Sequence, residues 1–209
     1  MASFASQLRA APLIPVLTIR DLSKAEDLAL ALQAGGLKNL EVTLRTPVAL
    51  EAIALMKAAA PELMIGAGTV LSEGDVEACF KVGADFIVTP GSSPGLRAAL
   101  LKADANVMVG VATATEIMSR LEEGFGVLKF FPAEQSGGVA ALKSFGGPLP
   151  DARFCPTGGV TVDKIAGYLA LHNVVAVGGT WIATPELIDT GDFITIEANA
   201  RIAAQFTKT

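Results

Sequence analysis

The sequence predicts an α/β fold of the (β/α)8 TIM-barrel type, with an extra helix ahead of the first strand. Three observations lead there. Short β-branched or apolar runs recur eight times at near-regular spacing. Each is followed by turn chemistry and then a helical pattern, the alternation that parallel strands with crossover helices require. The 209 residues suit one domain, 1–209, with a sizeable core. They make a compact version of a barrel that usually takes about 250 residues. An open doubly wound sheet meets the same alternation and is the competing architecture.

The predicted strands cover 14–19, 39–44, 64–67, 85–88, 107–111, 127–131, 153–156 and 174–177. The segment 1–9 reads as the extra helix and 192–206 as a closing one. Asp21 and Ser23 open the helix after the first strand, and Gly35-Gly36 closes it. Thr46-Pro47 reads as an N-cap followed by proline at the first helical position. Ser93-Pro94 and Thr184-Pro185 repeat that signal, and Ser72 with Asp75 resembles a capping box.

Hydrophobic residues make up 51% and charged residues 18%, which excludes a disordered chain. The net charge of −5 and the lack of a Lys/Arg block argue against a nucleic-acid partner. Mean hydropathy is high, at +0.50. The longest uncharged stretch, 165–185, nevertheless holds His172, Asn173 and a glycine pair, so no membrane partner is expected. The apolar excess fits alanine-rich helices and a chain that buries further surface against copies of itself. Residues 1–11 lack the basic start and apolar centre of a signal peptide. Two cysteines, Cys79 and Cys155, suit a reducing, cytoplasmic compartment. A single histidine, His172, excludes a zinc site with several histidine ligands and has no evident triad partner.

The chemistry concentrates on a few strands. In the sixth, Lys129 alternates with Leu128 and Phe130, so it points into the barrel if the large apolar pair faces the helices. A lysine withdrawn from water gives up its proton more readily, and a free amine can attack a ketone to form a Schiff base. In the second strand, Glu41, Thr43 and Arg45 share one face and Leu40, Val42 and Leu44 the other. Buried opposite charges must pair or serve a ligand. Glu41 suits general acid–base work beside Lys129, and Arg45 suits a bidentate carboxylate clamp. A plain ion-pair network filling the barrel is the competing reading. Thr69, after Gly66-Ala67-Gly68, offers a hydroxyl at the mouth, and Thr89-Pro90-Gly91 forms another turn there. Glycine pairs follow strands seven and eight, at Thr157-Gly158-Gly159 and at Gly178-Gly179-Thr180. Loops at those two places in such barrels often bind phosphate through backbone N–H groups.

Four stretches together resemble the 2-keto-3-deoxy-6-phosphogluconate (KDPG) and 4-hydroxy-2-oxoglutarate (KHG) aldolase family. They are Leu40-Glu41-Val42-Thr43-Leu44-Arg45-Thr46, Gly66-Ala67-Gly68-Thr69-Val70, Lys129-Phe130-Phe131-Pro132-Ala133-Glu134 and Phe154-Cys155-Pro156-Thr157-Gly158-Gly159. The resemblance implies a class I barrel aldolase with no metal and no other cofactor, assembled as a homotrimer. It implies a keto acid and a phosphorylated aldehyde as small-molecule partners: KDPG giving pyruvate and glyceraldehyde 3-phosphate, and in some members KHG giving pyruvate and glyoxylate. Carried over by motif, Lys129 is the Schiff-base lysine and Glu41 the acid–base. Arg45 and Thr69 bind the carboxylate, and Pro90 and Phe131 wall the pyruvate pocket. Gly158, Gly159, Gly179 and Thr180 hold the phosphate, and Thr157 is a further substrate-binding residue. Thr180 departs from the serine common in the family, keeping the hydroxyl and adding a methyl.

Three other readings compete. One is the related aldolase for the galactonate-derived epimer. Another is a phosphate-binding barrel isomerase or synthase without a covalent imine. The third is a non-catalytic binding protein in which Lys129 and Glu41 only neutralise each other.

Overall fold

A computed structural model describes residues 3–207, so Met1 and Ala2 of the predicted first helix lie outside the described residues. The strands are β1 (Leu13–Leu17), β2 (Asn39–Thr43), β3 (Met64–Gly68), β4 (Phe86–Val88), β5 (Val107–Val111), β6 (Val127–Phe130), β7 (Phe154–Pro156) and β8 (Val177–Gly179). They form a sheet in the order β7-β6-β5-β4-β3-β2-β1-β8. All pairings between them are parallel. Bridges from Phe154 to Val174 and from Thr157 to Gly178 bring the last segment back to β7 and close the barrel. Closure excludes the open doubly wound sheet.

The helices are α1 (Phe4–Ala10), α2 (Ala25–Ala34), α3 (Ala49–Ala59), α4 (Glu73–Lys81), α5 (Pro94–Lys102), α6 (Ala114–Glu122), α7 (Gly138–Phe145), α8 (Val162–Leu169), α9 (Pro185–Thr190) and α10 (Phe193–Ala204). Most start where the cap signals predict. Ser72 and Asp75 form a reciprocal capping box, and Ser93 and Thr184 each cap a helix with proline in its first turn. Asp21 caps a short 3-10 turn that leads into α2. Thr46-Pro47 is an exception. Its helix begins at Ala49, because the Thr46 hydroxyl donates instead to the Ile19 carbonyl at 2.6 Å. The eighth strand also differs: it begins at Val177 and runs into the glycine pair, while Val174 makes only an isolated bridge. No described helix is long and apolar enough to cross a membrane.

Two apolar layers position the site. Outside the barrel, strand residues such as Leu40, Val42, Leu128, Phe130 and Phe154 pack against the helices. Inside, Ile14, Phe86, Val88, Met108, Val127, Cys155 and Ala176 fill the lower half, with Leu8 of α1 beneath them. Phe4 of α1 lies against Phe86, ring centroids 5.6 Å apart. Gly66 gives the Phe86 ring its space, since a Cβ there would overlap it. The first helix thus stoppers the N-terminal end. Asn39, buried at the start of β2, donates to the Ala11 carbonyl at that end, and the charged pair described below stands higher in the interior.

Candidate active site

Each inward-pointing position of β6 belongs to one layer. Val127 joins the apolar floor, and Lys129, two residues on, stands one layer higher. Leu128 and Phe130 face the helices as the alternation predicts. On β2, Glu41 occupies the matching height. Its carboxylate accepts a hydrogen bond from Lys129 Nζ at 3.1 Å, across the barrel. The side chains are only 4% and 2% exposed, so the two charges face each other out of water.

Glycine makes the room. On β3, a side chain at Gly68 would overlap the Glu41 carboxylate. On β5, Gly110 is the register neighbour of Lys129, and a side chain there would overlap the backbone of Pro90 and Gly91. On its other side Lys129 pairs with Cys155 of β7. The Cys155 thiol is pushed up to about 12, first by burial and then by the Glu41 carboxylate.

Above the pair opens a cavity of about 380 Å³. Lys129 and Phe131 form its base, with Lys129 Nζ 5.3 Å from the centre of the Phe131 ring. Arg45 borders it, and Thr157, Gly158, Gly159, Gly179 and Thr180 line the opposite side. Gly158 and Gly159 have φ of +104° and +74°, a left-handed backbone that side chains resist. Among the described residues, the backbone N–H groups of Gly159, Val160 and Thr161 enter no hydrogen bond within the chain. Such a turn just ahead of a helix is suited to an anion.

Several placements differ in detail from the sequence reading. Arg45 lies past the end of β2, in the following turn, rather than on the strand itself. It is brought to Thr69, whose hydroxyl accepts from Arg45 Nε at 3.3 Å. Thr69 adopts φ of +60°, rare for a β-branched residue, and does not itself line the cavity. Pro90 also stands outside the lining, its backbone packed against Gly110. Thr43 bonds the Leu17 carbonyl at 2.8 Å and so ties β2 to β1. The small residues of Gly66-Ala67-Gly68 suggest close approach of a ligand to the backbone, whereas the structure uses Gly68 to make room for the Glu41 carboxylate. Sequence reasoning gave no role to Gly110, Val16 or Trp181. Among the described residues, no group of three or more His, Cys, Asp or Glu could hold a metal ion.

A closed parallel barrel with a buried lysine–carboxylate pair under an anion-suited cavity defines a class of lysine-dependent barrel enzymes. The comparisons narrow it. The family model for KDPG and KHG aldolase matches residues 4–199. A 2-dehydro-3-deoxy-phosphogluconate aldolase of Pseudomonas aeruginosa is 47% identical over 94% of this chain and 90% of its own. A KDPG aldolase structure from Legionella pneumophila, with pyruvate captured at low pH as a covalent carbinolamine intermediate, matches with a TM-score of 0.93. It is 39% identical, over 98% of this chain and 99% of that one. The Zymomonas mobilis ZM4 enzyme, solved with 3-phosphoglycerate, matches with a TM-score of 0.90 and 42% identity, over 98% and 96% of the two chains. This chain belongs to the KDPG and KHG aldolase family, and is therefore a carbon–carbon lyase.

Proposed function

We propose that the protein is a class I aldolase that reversibly cleaves KDPG to pyruvate and glyceraldehyde 3-phosphate, and that it accepts KHG as a second substrate. The observation that carries this reading is the 3.1 Å contact between Lys129 Nζ and Glu41 Oε1 at the base of the cavity. The pair can exchange a proton directly, so Lys129 can present a neutral amine to a ketone.

The steps follow from that pair. Lys129, its proton passed to Glu41, attacks C2 of the keto acid to give a carbinolamine. Glu41 gives that proton to the departing hydroxyl, so water leaves, an iminium remains and Glu41 is again a carboxylate. Glu41 takes the proton of the C4 hydroxyl. The C3–C4 bond breaks, its electron pair entering the enamine as the aldehyde leaves. Glu41 returns the proton to C3, and water hydrolyses the iminium to pyruvate and the protonated Lys129 amine, which restores the starting pair. Arg45, steadied by Thr69, holds the carboxylate so that C2 stands within reach of the amine. Phe131 borders the pyruvate end, with Pro90 set behind the lining against Gly110. Thr157, Gly158, Gly159, Gly179 and Thr180 receive the phosphate. None of these residues needs a cofactor for its part.

Two findings favour this reading over its competitors. The carbinolamine in the Legionella enzyme supports a covalent step over a non-covalent isomerase or synthase. The 47% identical Pseudomonas relative carries the gluconate-derived name, which supports that substrate over its galactonate-derived epimer. Exposed Phe80, Leu101 and Met118 on the successive helices α4, α5 and α6 support self-association, and we assign a homotrimer, checked by light scattering. Two free buried cysteines support a cytoplasmic setting.

The deciding experiment is borohydride trapping with pyruvate, followed by intact-mass and peptide mapping. A reduced pyruvate adduct on Lys129 is expected. Folded protein without an adduct, in excess pyruvate, would return the assignment to a non-covalent barrel enzyme.

A further inference from the structure

Glu134 lies beyond β6, outside the cavity lining, yet it ties down the loop that follows β7. Its backbone N–H donates to the Gly158 carbonyl at 3.1 Å, beside an Ala133 N–H bond to the Thr157 carbonyl at 2.8 Å. Its carboxylate accepts from Lys164 Nζ with one oxygen and from the Tyr168 hydroxyl with the other. Both donors belong to α8, the helix that begins where the loop ends. Its Cγ also packs on Gly159, where an added Cβ would come within 3.0 Å of it. One residue therefore fixes the glycine turn at its start, along its side and through the helix behind it.

That turn needs external support. Two adjacent glycines have the widest backbone freedom of any pair, and freedom lost on binding weakens affinity. The charge-assisted bonds from Lys164 and Tyr168 hold the Glu134 carboxyl below the usual carboxylate range, so it stays ionised at neutral pH. We propose that Glu134 is a positioning residue that holds the 158–161 loop in the shape that receives the distal phosphate, and so sets the preference for a phosphorylated substrate. This rests on the assignment of that loop to the phosphate. It touches neither Lys129 nor Glu41, so it leaves the covalent chemistry alone.

The test compares KDPG with 2-keto-3-deoxygluconate, the same carbon chain with a hydroxyl in place of the phosphate, in wild type and Glu134→Gln. KM for the phosphorylated substrate is expected to rise about tenfold with kcat within about twofold. On the unphosphorylated substrate kcat/KM stays within about twofold of wild type, and pyruvate trapping is unchanged. Lys164→Met, at a side chain 43% exposed, gives a milder change in the same direction and replaces Glu134→Gln should that variant not fold. Equal losses on both substrates, or no loss on either, would overturn the proposal. A wild type that treats both substrates alike would instead strike the loop assignment, and the proposal with it.

Discussion

The Glu41 carboxylate occupies the space that a side chain at Gly68 would fill. Glu41 reaches Lys129 across the barrel only because the neighbouring strand has hydrogen in place of a side chain at that height. Gly68→Ala should therefore push the carboxylate off Lys129 Nζ without opening the barrel. Turnover is expected to fall by about a hundredfold, the usual worth of a positioned acid–base group. Steady-state kinetics and circular dichroism together check it: full activity in a folded variant would remove Glu41 from the proton transfers.

Lys129 and Glu41 neutralise each other in a buried setting, so removing one leaves the other uncompensated. Lys129→Met should abolish the trapped adduct and cost roughly 3 kcal/mol of stability. Adding Glu41→Leu should restore most of that stability while the protein stays inactive. Urea denaturation of the two variants reads the difference. A double variant no more stable than the single one would mean that lost packing, not a stranded charge, causes the damage.

Glu41→Gln separates two roles that the pair combines. The amide keeps the shape and cannot take a proton. Borohydride trapping with pyruvate should persist in part, while cleavage falls by about a hundredfold or more. Normal cleavage rates in this variant would contradict the assigned proton transfers.

How far the site was legible follows from where periodicity reaches. Strand alternation decides facing, so Lys129 and Glu41 could be placed on inward faces from the sequence alone. Arg45 and Pro90 lie past strand ends, where no repeat fixes direction, so alternation alone could not say which way either side chain turns. Thr46 misled because a threonine hydroxyl serves a neighbouring carbonyl as readily as a helix end. Strand eight shifted because Val175 and Ala176 are fully buried in the barrel floor, so the apolar run marks the barrel's base and not the paired segment. Glu134 was visible only as part of a motif. Its partners Lys164 and Tyr168 lie thirty and more residues on, a distance that only the closed fold bridges.

Both thiols should be silent in the native protein. Cys79 and Cys155 are fully or nearly fully buried, and burial pushes each thiol up to about 12. Almost no reactive thiolate exists at pH 8. A disulfide-exchange reagent should titrate no thiol in the folded enzyme and both after unfolding in urea. Rapid native reaction at Cys155 would mean that the barrel opens at β7, next to Lys129.

Helix α6 follows β5, and its start carries a pH-dependent tie. One oxygen of Glu116 accepts from the Ala112 N–H at 2.8 Å and the Thr113 N–H at 2.9 Å. The Thr113 hydroxyl donates to the same oxygen at 3.0 Å. These bonds, that from Ala112 foremost, hold the carboxyl below its ordinary 4.5. A carboxyl lowered in the folded state adds stability that is full above the unfolded value and fades as pH falls through the native one. Glu116→Gln should thus cost roughly 0.5–1 kcal/mol at pH 7, the scale of a carboxylate at a helix start. The gap between variant and wild type should shrink as pH drops below 4.5. Urea melts at a series of pH values measure it. A gap that stays constant down to the most acidic point would show that the amide fails by geometry and that charge has no part in the tie.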